Sequence, residues 1–108
     1  MKVTIFKDLY KKEAQDAHVM QIATALKRIQ EGNSATTIEA IRNGTKEFKK
    51  KLPVVLFSGE FKGRYDDALE NHSKFIVLDF DHIDVEASKA LLSTDPYVYS
   101  CWVSPSGD

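Results

Sequence analysis

Two aspartates, Asp79 and Asp81, stand at the end of an apolar run, Phe75-Ile76-Val77-Leu78. Side chains alternate along a strand, so residues two apart share a face. Read as a strand, this run delivers both carboxylates to one place. Carboxylates held that close repel each other, and desolvation adds to the cost. A divalent cation removes the cost, and hard oxygen ligands suit Mg²⁺ or Mn²⁺, which also bind phosphates. The pattern therefore points to a metal site for phosphoryl chemistry. A plainer reading stands beside it, a helix N-cap plus a surface acid, because Asp81 to Asp84 lead into a helix.

A second candidate is Ser104-Pro105-Ser106-Gly107, where small hydroxyls and a glycine let a backbone approach phosphate oxygens. An ordinary turn has the same composition. Ser58-Gly59 through Lys62-Gly63-Arg64 is a similar strand exit, and Arg64 is its candidate phosphate ligand. Lys46, Lys49, Lys50 and Lys51 form either a solvated face or a small phosphate-attracting patch. His82 is better placed as a solvated or capping residue than as a ligand. Trp102, Tyr97 and Tyr99 lie in an apolar run and read as core.

These residues need a scaffold. Val3 to Phe6 reads as a first strand. Ala14 to Gln30 reads as an amphipathic helix, with Val19, Ile22, Ala23, Leu26 and Ile29 at helical spacing. A second helix starts at Thr36, with Glu39 in a capping-box position, and ends at Asn43-Gly44. A lysine-rich turn leads to Leu52. Pro53 to Phe57, Phe75 to Leu78 and Tyr97 to Val103 are continuous apolar runs, the pattern of strands covered on both faces. Asp84 can cap a helix through Leu91 and Leu92, a helical crossover between parallel strands. The fold class is α/β or α+β, a mixed sheet flanked by helices. Phe75 to Leu78 is expected at its centre, and Val55, Phe57, Ile76, Leu78, Val98, Ile22 and Leu26 are expected in the core.

The chain has 108 residues, enough for one domain over 1–108. Its apolar share of 43% and charged share of 29% suit a folded chain. With one cysteine, Cys101, it has no internal disulfide and no Cys-based zinc cluster, and His18, His72 and His82 lack zinc spacing. No apolar run is long enough for a bilayer, and MKVTIF lacks a signal-peptide core. A cytoplasmic location without a membrane partner is expected. The net charge of −1 argues against a globally basic nucleic-acid binder. The closing turn, Val103 to Asp108, suggests a fold that continues past the last residue, leaving a strand edge at Tyr97 to Val103 through which two copies would pair.

Taken in order, Leu52-Pro-Val-Val-Leu-Phe-Ser-Gly59, Ile76-Val-Leu-Asp-Phe-Asp-His-Ile83, Asp95-Pro-Tyr-Val-Tyr99 and Val103-Ser-Pro-Ser-Gly107 resemble the VirE N-terminal family. These are primase-like domains of bacterial mobile-element proteins, similar to the archaeo-eukaryotic primase superfamily. The resemblance implies metal binding by Asp79 and Asp81 as catalytic residues, and nucleotide binding by Ser104, Ser106 and Gly107. It implies the N-terminal part of a primase-polymerase-like nucleotidyltransferase, using Mg²⁺ or Mn²⁺ on nucleotides and nucleic acid in DNA replication. The family's basic residue after the turn, and its third acidic residue, would lie past Asp108, so the fragment alone is expected to be inactive. Two alternatives stay open. One is a haloacid-dehalogenase-type phosphatase with Asp79 as nucleophile, which Ile83 and the lack of a downstream Lys and acidic pair disfavour. The other is a non-catalytic module that binds nucleic acid or protein.

Overall fold

The computed structural model describes residues 1–105. In chain order it has strand β1 (Lys2–Phe6), a 3₁₀ turn at Ala14–Asp16, β2 (His18–Gln21), helix α1 (Ile22–Gln30) and α2 (Ala35–Arg42). A second 3₁₀ turn at Lys46–Lys51 follows, then β3 (Val54–Leu56), β4 (Gly59–Phe61), β5 (Leu69–His72) and α3 (Val85–Leu92). This is a mixed α/β fold with two antiparallel sheets, ordered β2-β1-β3 and β4-β5.

The centre of the larger sheet is β1. It pairs Val3 with Met20 and Ile5 with His18 on one side, and Ile5 with Val55 and Phe6 with Val54 on the other. Val3, Thr4, Ile5 and Phe6 are all buried, the signature of a strand covered on both faces. Val3 and Ile5 meet Ile22 and Ala25 of α1, with Leu26, Val55, Phe57 and Phe75 packed around them. The opposite face belongs to the second sheet. The Thr4 hydroxyl donates to the Gly59 carbonyl at 2.9 Å and accepts from the Phe61 N–H at 2.9 Å, so one buried side chain fastens β4 onto β1. Glycine is required at 59: φ is +153° and a Cβ there would lie 2.0 Å from the Asn71 carbonyl oxygen.

Several expectations change. Residues 14–30 do not form one helix, because His18–Gln21 pair with β1 and the helix starts only at Ile22. The Val19–Ile22 spacing fits a helix, but the ladder open beside β1 outweighs that periodicity. Helix α2 begins one residue before Thr36, after Ser34, with no side-chain cap. The β4-β5 hairpin has no apolar signal in the sequence, since only Leu69 of Leu69–His72 is apolar and all four residues are exposed. Both sheets are antiparallel, so α3 bridges no parallel strands.

The largest correction concerns Phe75 to Leu78. This run forms no strand. Ile76 is 83% exposed and Leu78 66%. The run pairs with no strand of either sheet, β2-β1-β3 or β4-β5. Phe75 alone turns into the core. Tyr97 to Val103 likewise forms no strand, and Tyr97 is 95% exposed. The strand edge expected to pair two copies is therefore missing from that segment. Val55, Phe57, Ile22, Leu26 and Val98 are buried or half-buried as expected.

Candidate functional site

The acidic segment starts from an anchored point. Ser73 is buried, its N–H and hydroxyl donate to the Ser58 and Phe57 carbonyls, and its Oγ accepts from the Phe75 N–H at 3.2 Å. The chain then runs without regular secondary structure to His82, where φ is +56°, just before α3. Asp84 caps that helix, its Oδ1 accepting from the Ala87 N–H at 2.9 Å. The capping role therefore falls to Asp84, and both Asp79 and Asp81 are exposed.

A groove of about 460 Å³ lies between this segment, α3 and residues 97–104, with Ile22 and Leu26 of α1 at its base. Two aromatic pairs hold its walls, Phe57 with Trp102 at 5.6 Å and Phe75 with Tyr99 at 5.0 Å between ring centres. The lining is mainly apolar, with Asp79, Ser104, Lys74 and Lys89 among its polar members. Asp79 and Ser104 thus share one groove, although 25 positions separate them in sequence. The Ser104 carbonyl accepts from Arg42 Nη2 at 3.1 Å, which ties the far wall to α2. Trp102, Tyr97 and Tyr99 belong to that wall rather than to a closed core.

Asp81 does not line the groove. Arg64 is elsewhere too. Its guanidinium donates to the Leu9 carbonyl at 2.5 Å and its backbone N–H to the Lys12 carbonyl at 2.8 Å, so it clamps the loop after β1, away from the groove. Ser106 and Gly107 lie outside the described residues. Lys74 and Lys89 had no part in the sequence reading. The one signal available is that no other Lys or Arg follows Arg64.

Among the described residues, no three His, Cys, Asp or Glu side chains gather into a metal cluster. Asp79 and Asp81 are two exposed hard-oxygen donors, and the strand that would have set them on one face is not formed. The one resolved pKa displacement is remote from the groove. Tyr65 donates to Glu13 Oε1 at 2.6 Å, and that carboxylate holds the phenol above its ordinary value.

The BT4734-like, N-terminal domain family model matches residues 47–108. The chain belongs to this family. The match runs from the second 3₁₀ turn through β3, the β4-β5 hairpin and α3 to the last residue, so it contains the whole groove except the α1 base. It replaces the VirE N-terminal family, and the replication, mobile-element and nucleotidyltransferase associations that came with that resemblance go with it. An apolar run before Asp-x-Asp and a small-residue turn recur wherever chains meet metals or phosphates, so four short segments did not single out one family. No curated protein and no solved structure matches this member of the BT4734-like N-terminal domain family.

Proposed function

We propose that this domain, in a cytoplasmic protein, takes part in metal-dependent phosphoryl chemistry on nucleotides. The observation that carries the reading is the sharing of one groove by Asp79, Ser104, Lys74 and Lys89. Asp79 and Asp81 would hold Mg²⁺ or Mn²⁺, and such an ion supplies charge neutralisation on a phosphate group. Lys74 and Lys89 add fixed positive charge at the same groove. The apolar walls would take the flat face of a base against Tyr99 or Trp102.

Titration with Mn²⁺ and a nucleoside triphosphate, followed by electron paramagnetic resonance of the free ion, tests this. The wild-type chain should bind Mn²⁺ weakly, and more tightly with the nucleotide present. Asp79→Asn with Asp81→Asn should remove that coupling while circular dichroism stays unchanged. Equal coupling in the double variant would end the proposal.

A second reading has its own observation. Ile76 and Tyr97 are 83% and 95% exposed, more apolar surface than a catalytic groove needs, and it suits a protein-binding module. In that case the double variant binds its partner as the wild type does, and Ile76→Asp does not.

A further inference from the structure

The sequence shows a lysine cluster at 46–51. The fold adds a second one to it. The Leu9 N–H donates to the Lys50 carbonyl at 3.0 Å, so the loop after β1 lies directly against the second 3₁₀ turn. Lys7, Lys11 and Lys12 thereby join Lys49, Lys50 and Lys51 on one edge of the molecule, all six exposed. Among the described residues none of the six makes an ion pair, the two ion pairs being Lys27–Glu31 and Lys62–Glu70. Lys51 instead sits 4.4 Å over the Phe48 ring.

The acids on this edge are partly engaged. Asp8 Oδ1 accepts from the N–H groups of Tyr10 and Lys11, at 2.9 and 3.1 Å, and Glu13 accepts from Tyr65. Glu47 is the acid within the second turn. Within the first lysine group, beside Lys11 and one residue after the Leu9 contact to Lys50, stands Tyr10, 69% exposed. Six lysines stand here against Asp8, Glu13 and Glu47, so a chain with a net charge of −1 carries a local excess of positive charge on this edge.

We infer that this edge, residues 7–12 with 49–51, binds single-stranded nucleic acid. Gathering six unpaired ammonium groups raises the local potential, and a polyphosphate backbone relieves it while releasing its own counterions. An exposed aromatic ring among the cations gives a base a stacking surface. A lone phosphate would use only one or two of these lysines. A membrane surface would use the charges but leave Tyr10 without its role. The inference is independent of the metal proposal, because none of these residues lines the groove.

Fluorescence anisotropy with a labelled oligothymidylate tests it. Binding should weaken at least tenfold between about 50 and about 200 mM salt, as expected when three or more phosphates are neutralised. Lys49→Ala/Lys50→Ala/Lys51→Ala and, separately, Lys7→Ala/Lys11→Ala/Lys12→Ala should each lose about tenfold or more in affinity. Tyr10→Ala should lose about fivefold or more, and Tyr10→Phe should retain binding. Asp79→Asn/Asp81→Asn should bind the oligonucleotide as the wild type does, so failure of the metal reading leaves this result standing. Circular dichroism checks folding, and all the substituted positions are exposed. Affinity insensitive to salt, or unchanged in either lysine variant, would overturn the inference. So would binding confined to vesicles of equal parts phosphatidylserine and phosphatidylcholine.

Discussion

Val3-Thr4-Ile5-Phe6 and Phe75-Ile76-Val77-Leu78 are close in composition and opposite in fate. The first run is buried throughout, with Val3 and Phe6 fully covered. The second exposes three of its four side chains, Val77 at 59% among them. The difference lies in the neighbours. β1 has a strand on each side, α1 on one face and β4 on the other. The second run is tethered at Ser73 and Phe75 and has no strand on either side. Apolar character states a need for cover, and partners decide whether it is met.

The largest expected effect comes from breaking the covered run. Phe6→Ala should cost about 3–5 kcal/mol in a urea titration, and a loss under about 1 kcal/mol would remove β1 from the centre of the fold. Next is the fastening between the sheets. Thr4→Val keeps the shape and deletes both hydrogen bonds to β4, leaving the Phe61 N–H without its partner. A loss of about 1–3 kcal/mol is expected, with earlier hydrogen exchange in β4 than in β2 as the local readout.

A pH-dependent difference follows from Tyr65. Its folded-state pKa is raised, chiefly by the hydrogen bond to Glu13. A raised value means that its contribution is fully present below the unfolded value of about 10 and is lost as pH rises through the folded one. Wild type and Tyr65→Phe should therefore differ in urea midpoint at neutral pH and converge in alkaline solution. The smallest effect belongs to the uncovered run. Ile76→Ala should stay within about 0.5 kcal/mol of wild type, whereas a central strand would give a loss several times larger. That pair of titrations, Phe6→Ala against Ile76→Ala, is the sharpest form of the comparison.

Parts of the molecule were legible from residue order alone. Val3 to Phe6 as a strand and the α1 stripe of Ile22 and Leu26 showed in residue type and spacing, and the stop at Asn43-Gly44 and the Asp84 cap rest on interactions within a few residues. Local chemistry is enough for the last two, because the partner atoms are near in the chain. The mixed α/β class followed from the same signals. The candidate site was legible only as a set of residue types, with Asp79 and Ser104 both named and their meeting in one groove unforeseen.

Tertiary structure decided the rest. His18–Gln21 became a strand because β1 offered a ladder, which no local periodicity reveals. The exposure of Ile76 goes with its run pairing with no strand of either sheet. Arg64 was committed by the Leu9 carbonyl, 55 residues away. The Leu9–Lys50 hydrogen bond joined two lysine clusters into one edge. Each of these outcomes depends on which distant group reaches a given backbone or side chain first, and that competition exists only once the chain has folded.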